Sequence, residues 1–253
     1  MGKGFIVSPV AEVERVLKRA ATGIPKAKAK ERAFFMKVQM PLLGLTVPQQ
    51  RKLAKRGYSF SDAPVLELAE VWTEIWHSAE THEGKMQAGL ALEQFAPALE
   101  FDARWALVQD WCSTLNCWDQ SDTLSAHVAR ALEEKPKMVW PVMQAWNNDA
   151  DSWKRRQSVV GLFFYTRFRV KCPPVARSLK LITALLGDKD YYVQKGVGWA
   201  LREAYNAYPE QTFRYLKKHA GAIHPDAFSA AMEKMSVEEK AEIKKIRKSV
   251  RGR

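Results

Sequence analysis

Cysteine is scarce. The 253-residue chain holds Cys112, Cys117 and Cys172 and no others. An odd count without a C-x-x-C pair argues against both a disulfide framework and a zinc site, and suits a reducing compartment. The five histidines, His77, His82, His127, His219 and His224, show no H-E-x-x-H or other metal-ligand spacing. There is no P-loop, no dinucleotide-binding glycine pattern and no G-x-S-x-G elbow, so no metal and no cofactor is expected. Long apolar runs are missing as well. The longest, Val159 to Tyr165, cannot span a bilayer. The run from Met1 to Pro9 is too short in apolar residues for a signal peptide, and Ile6 stands where a myristoylation signal needs Ser or Thr. These absences predict a soluble cytoplasmic protein without membrane contact.

Acidic residues are also in deficit, 28 against 40 Lys and Arg, for a formal charge of +12 and a pI near 9.6. Such a balance favours a polyanionic partner, nucleic acid first and an anionic membrane surface second, although a merely basic protein shows it too. Hydrophobic residues make up 47% of the chain, enough to build a core.

What is present is helix, almost throughout. Val65, Leu68, Trp72, Ile75 and Trp76 keep a helical period, with Asp62 placed to cap the start. Thr46-Val47-Pro48-Gln49 carries a cap, a first-turn proline and a capping-box glutamine, and Ser236 with Glu239 repeats the box before the last helix. Met86, Met138 and Met143 sit in apolar helical stretches and read as packing. Proline and glycine serve as short punctuation at Gly23 to Pro25, Cys172 to Pro174 and His224-Pro225. No run alternates polar and apolar residues long enough to suggest a sheet. The expectation is an all-α chain, one helical-repeat domain over residues 1–253, with a basic tail at 236–253. That tail, with Lys244, Lys245, Arg247, Lys248, Arg251 and Arg253, is either a phosphate contact or a frayed, solvated helix end.

One kind of helix opening recurs three times. Asn116-Cys117-Trp118, Asp151-Ser152-Trp153 and Asp190-Tyr191-Tyr192 each place Asp or Asn two residues before an aromatic, at offsets of 35 and 39 residues. Offsets of that size fit stacked helical hairpins, since one hairpin cannot bury its apolar face alone. Counted from the aromatic, Asp122 lies at +4, Arg156 at +3 and Trp199 at +7, positions that share one helix face. If the three helices stack in parallel, an acid, a base and an aromatic line one groove. Spacing alone allows plainer roles: a core tryptophan for Trp118, a surface acid complementing the helix dipole for Asp122, and a surface charge for Arg156. Lys154-Arg155-Arg156 would concentrate positive charge beside a phosphate backbone. Trp199 is flanked by Gly196 and Gly198, each costing about 1 kcal/mol in a helix relative to alanine. That cost calls for close helix packing or room for another backbone.

At these residues the chain resembles the AlkD-type DNA alkylation-repair glycosylases, all-α proteins of HEAT-like repeats. Trp118-Asp119-Gln120-Ser121-Asp122 resembles the family's W-D-x-x-D segment, whose final acid is regarded as catalytic. Trp153 to Arg156 resembles its W-x-x-R segment, and Gln194 to Glu203 its third segment, whose tryptophan lines the cleft. Gly44 to Arg51 is similar to its G-x-x-x-P-x-x-R turn, a DNA contact. The likeness runs from about Phe34 to about Tyr205. It departs at Phe35, where a DNA-reaching tyrosine is expected, and at Cys117, which replaces an aromatic.

The resemblance implies a solenoid with a concave basic groove and a monomeric enzyme, associated with the nucleoid when on DNA. Its partner would be duplex DNA containing alkylated bases. The activity implied is excision of cationic N3- or N7-alkylated purines, and the absence of lysine from Trp118 to Leu132 predicts a monofunctional, metal-independent enzyme. Asp122, Trp118 and Trp199 would be the catalytic residues. Arg156, Lys154, Arg155, Lys195, Arg202, Thr46, Pro48, Arg51 and Phe35 would bind DNA. Two rivals share the fold: a non-catalytic repeat protein that grips damaged or branched DNA, and a solenoid whose basic groove holds an acidic peptide.

Overall fold

The structure, a computed structural model, describes residues 8–252. The N-terminal stretch weighed as a leader or lipidation signal falls at residues 1–7, outside that range, as does Arg253 of the basic tail. Among the described residues there are fourteen α-helices, two short 3-10 turns and no strands. No helix is long and apolar enough to cross a membrane. The chain forms two compact units, residues 1–123 and 124–253, with the division falling inside a helix.

The first unit contains α1 (Pro9–Ala20), α2 (Lys26–Met36), α3 (Val47–Arg56), α4 (Val65–Ser78), α5 (His82–Phe95), α6 (Phe101–Cys112) and the start of α7 (Trp118–Glu134). Helix α5 packs on α1, α3 and α4 and is buried along most of its length. An all-round buried helix must satisfy its polar side chains internally, and α5 does so repeatedly. Gln87 donates to the Gln50 carbonyl at 3.0 Å and accepts from the Tyr58 hydroxyl at 2.8 Å. Lys85 donates to the Thr114 carbonyl at 2.6 Å, with its ammonium 4.7 Å from the Trp76 ring centre. Trp76 in turn stacks on Trp111 at 4.7 Å.

The second unit takes up the rest of α7, then α8 (Pro136–Asn147), α9 (Ser152–Phe163), α10 (Val175–Ala184), α11 (Tyr191–Ala207), α12 (Pro209–His219), α13 (Pro225–Ala231) and α14 (Val237–Arg251). Helix α11 lies between α9 and α13, and α8 packs on both α9 and α10. The close approach of α11 to α13 explains one of the two glycines. A β-carbon on Gly198 would stand 2.6 Å from the Ala227 carbonyl oxygen and 2.8 Å from its Cα. Only a bare backbone fits there.

Local signals in the sequence are met at most helix ends. Both capping boxes, Thr46 with Gln49 and Ser236 with Glu239, form. Asp151 accepts from the Trp153 amide, and Asp190 accepts from Tyr192 and Val193. Three expectations need correction. Pro64, not Asp62, holds the cap position of α4, and no side chain caps that end. Helix α7 begins on its aromatic, Trp118, so Asn116 lies one residue short of the position that Asp151 and Asp190 occupy. Met138 is exposed, unlike the buried Met86 and Met143, because it faces out from the first turn of α8. The basic tail is a docked helix rather than a frayed one. Arg247 donates to the carbonyls of Ala220 and Ile223 at 2.7 and 2.8 Å and covers the Phe228 ring, and Arg251 donates to Gly221 at 3.1 Å.

Two consequences can be measured. Gly198→Ala should lower stability by about 1–3 kcal/mol through overpacking against backbone. Gly187→Ala, where an added β-carbon meets nothing within 4 Å, should stay within about 0.5 kcal/mol. Thermal denaturation of both variants checks the contrast. Burial pushes the Lys85 ammonium down to about 8 from its ordinary 10.5. The unfolded chain therefore holds that proton more tightly, so the penalty of a buried cation is complete below the lower value and is relieved as pH rises toward the upper one. Urea midpoints of the wild type should rise relative to Lys85→Met through that interval, and parallel curves would contradict it.

Candidate nucleic-acid interface

In the first unit the expected residues cluster around α2, α3 and the start of α7. Trp118 and Asp122 lie one turn apart on α7, both half-buried. Thr46, Pro48 and Arg51 are exposed on the first turns of α3, and Phe35 is exposed beside Phe34 in the last turn of α2. Two polar residues opening α5 build this region, and neither stood out by spacing. Glu83, 1% exposed, accepts three successive amides: Leu43 at 2.9 Å, Gly44 at 2.8 Å and Leu45 at 3.1 Å. One carboxylate thus holds the loop that leads into α3. Arg32 ties α2 to the same loop by donating to the Leu45 carbonyl at 2.8 Å.

The neighbouring His82 is bonded through Nε2 to Asp119 Oδ2 at 2.8 Å. Burial pushes the Asp119 carboxyl up, but the His82 contact and the Gln120 amide hold it below its ordinary value. His82 therefore anchors the first turn of the helix that carries Trp118 and Asp122.

In the second unit the three consecutive cations of α9 go to three different partners. Lys154 pairs with Asp149 at 3.2 Å. Arg155 takes Asp188 at 2.7 Å and donates to the carbonyls of Asp149 and Ala150. Arg156 is 5% exposed and donates to the Tyr192 carbonyl at 2.9 Å. The expected concentration of charge is spread out, because each cation satisfies a loop or helix end nearby. Gly196 supplies the room for Arg156: a β-carbon there would stand 3.1 Å from Arg156 Cγ and 3.3 Å from its Nη1. Trp153 stacks on Tyr192 at 5.0 Å over the same contact. Lys195 is exposed on α11.

Trp199 is half-buried in an aromatic wall. Phe164 and Tyr165 each lie 5.7 Å from it, and the Arg202 guanidinium covers its ring at 5.3 Å. Tyr165 has a positive φ of 37°, a costly backbone for a bulky residue. Glu203 holds that segment by accepting from the Thr166 amide and hydroxyl, both at 3.1 Å. Arg202 is further engaged by Glu203 and Glu233. Beside this wall opens a recess of about 720 Å³ lined in part by Tyr165, Arg167, Arg202, Asn206, Tyr208 and Lys234.

The sequence pattern that defines the family described as DNA alkylation repair enzyme matches residues 14–235. The chain belongs to that family. Three solved structures share its fold. The predicted DNA alkylation repair enzyme of Enterococcus faecalis is 16% identical with a TM-score of 0.71, the match covering 83% of this chain and 96% of that one. AlkD2 from Streptococcus mutans is 16% identical with a TM-score of 0.52, over 87% of this chain and 97% of its own. The protein smu.31 from Streptococcus mutans UA159 gives the same identity and score, over 93% and 97%. No curated protein matches.

The loop held by Glu83 leads into α3, the segment that carries Thr46, Pro48 and Arg51. Glu83→Ala should speed amide exchange at Leu43, Gly44 and Leu45 by about tenfold or more, since each charge-assisted bond is worth about 1.5–3 kcal/mol. Glu83→Gln should give a smaller effect. Exchange rates unchanged in Glu83→Ala would show that the loop is held by something else.

Proposed function

We propose that this member of the DNA alkylation repair family is a monofunctional glycosylase that removes cationic N3- or N7-alkylated purines from duplex DNA. The observation that carries the proposal is Asp122, half-buried one turn beyond Trp118 on a helix whose start is anchored from the core by His82. An acid held on a fixed helix is suited to electrostatic catalysis, where charge must be in place before the reaction begins.

A purine made cationic by alkylation is already a good leaving group. Its bond to the sugar breaks toward an oxocarbenium-like state, so no strong acid is needed to protonate the base. The requirement is an anion beside the positive charge that develops on the sugar. Asp122 would supply it and orient the attacking water. At about 4 Å and an effective dielectric near 20, such a pairing is worth roughly 4 kcal/mol. Trp118 and Trp199 would face the cationic nucleotide, each for about 0.5–2 kcal/mol. Arg156, oriented by its bond to Tyr192, would hold a flanking phosphate. Lys154, Arg155, Lys195, Arg202, Arg51, Thr46, Pro48 and Phe35 are proposed as further DNA contacts. Of the cations, Lys195 and Arg51 are the most exposed, and exposed cations make the salt-sensitive phosphate contacts.

A bifunctional route needs a lysine amine at the reacting carbon. Helix α7, from Trp118 to Glu134, contains no lysine, which supports attack by water and an intact abasic strand as product.

The test is to incubate the protein with methylated duplex DNA and measure released 7-methylguanine and 3-methyladenine. Wild type should release base, and borohydride should trap no covalent complex. Asp122→Asn should slow single-turnover release by about 10²–10³ and leave DNA affinity near wild type. A variant within about threefold of wild type would remove Asp122 from the mechanism. No release by wild type, with salt-dependent DNA binding intact, would replace the enzyme by a non-catalytic protein that grips damaged or branched DNA.

A further inference from the structure

His82, Cys117 and Asp119 bring an imidazole nitrogen, a sulfur and a carboxylate oxygen within 4.8 Å of one another. His82 and Cys117 are each 2% exposed, while the Asp119 side chain is 18% exposed. We propose that these three side chains form a binding site for a zinc-class divalent cation, seated at the start of α7 and separate from the groups proposed to touch DNA.

The donor set selects the metal. Thiolate and imidazole favour zinc and its borderline neighbours over magnesium or calcium, which take oxygen ligands. Three protein donors with a fourth position open to water is a common zinc arrangement. Charge balances too, because one thiolate and one carboxylate neutralise a divalent ion, so the bound site is neutral where burial penalises net charge. The three ligand atoms lie within 4.8 Å of one another, so metal binding draws the wider pair inward. Ligand atoms around tetrahedral zinc stand roughly 3.3–3.6 Å apart, given metal–ligand bonds of about 2.0–2.3 Å, so the 2.8 Å contact between His82 and Asp119 has to open by about half an ångström.

A second observation points to the same place. Seven buried side-chain nitrogen or oxygen atoms among the described residues lack a hydrogen-bond partner, and three of them are His82 Nδ1, Asn116 Oδ1 and Gln120 Nε2. One is on a proposed ligand, and the other two are on the residues that bracket Cys117 to Asp119. Unsatisfied buried polar atoms are rare and costly, and three of the seven fall on one proposed ligand and on the two residues flanking the others.

The buried Cys117 thiol donates to the Met36 carbonyl at 3.8 Å. Metal binding expels that proton to solvent and creates the thiolate. Asp119 is bound as the carboxylate and His82 as the neutral imidazole. The ion would then replace two hydrogen bonds with three coordinate bonds at the first turn of α7, stiffening the helix that carries Trp118 and Asp122. In this role the three are positioning residues, and the metal touches no substrate.

The experiment uses the full chain, kept reduced by a phosphine and freed of metal by a chelator, titrated with Co²⁺ as a spectroscopic stand-in for zinc. One Co²⁺ per chain should bind, with a near-ultraviolet thiolate charge-transfer band and visible bands of tetrahedral intensity. Zn²⁺ should abolish these bands and raise the Tm in a concentration-dependent way. Cys117→Ser should lose the charge-transfer band, and Asp119→Asn should weaken zinc binding by about tenfold or more. Cys172→Ser should bind as wild type does. No charge-transfer band in wild type, or a band that survives Cys117→Ser, would overturn the proposal. If His82→Gln fails to fold, the Cys117 and Asp119 variants still decide it. None of these readouts involves DNA, so the outcome is independent of the proposed glycosylase activity.

Discussion

Two adjacent polar side chains at the start of a buried helix must find their partners inside the protein, and much of the first unit follows from that demand. Helix α5 begins with His82 and Glu83, both almost wholly buried. Leaving either unpaired would cost more than most single contacts supply. Glu83 resolves its demand by gathering three amides of the loop before α3, and His82 meets half of its own by pairing Nε2 with Asp119 in the first turn of α7. Glu14 does the same for the turn before α5, accepting from the amides of Glu80 and Thr81. The elements bearing Thr46, Pro48, Arg51, Trp118 and Asp122 are therefore held by buried polar contacts rather than by hydrophobic fit alone.

The second unit meets a similar demand by other means. Its helices approach closely where side chains have been removed, at Gly198 against Ala227 and at Gly196 against Arg156. The space freed at Gly196 admits an arginine whose guanidinium caps a carbonyl of the next helix start. Arg155 and Asp188 bind the loop before α9 to the loop before α11. Charge that reads in sequence as a surface stripe is thus partly consumed by structure. What remains for a polyanion is carried by exposed cations such as Arg51 and Lys195, and by the net charge of +12, which acts at long range.

Placing the proposed functional groups on helices gives them precision, because each is fixed by a backbone that is itself packed. Asp122 and Trp118 share one helix turn, and Trp199 stands in a wall of aromatics whose strained turn at Tyr165 is held by Glu203. Strain kept by a buried carboxylate is commonly a sign of a site whose shape matters more than its stability. The aromatic wall was only partly legible beforehand. Trp199 is marked by its motif and its glycines, while Phe164 and Tyr165 look like the end of an ordinary apolar run until the chain turns back on α11.

The sequence by itself determined the helical class, the two capping boxes, the helix openings at Asp151 and Asp190 and the membership implied by the ordered motifs. These depend on interactions within about one helical turn, or on residue order, both of which a linear chain displays. Only the tertiary structure decided where the charges go and which polar residues meet. Arg155 and Asp188 are 33 positions apart, His82 and Asp119 are 37, and Glu83 and Leu43 are 40. No local period connects such pairs. For the same reason five histidines without metal spacing concealed one that stands beside a cysteine and an aspartate: ligands from two helix starts are brought together by packing, which conserves distance in space and leaves no trace in spacing along the chain.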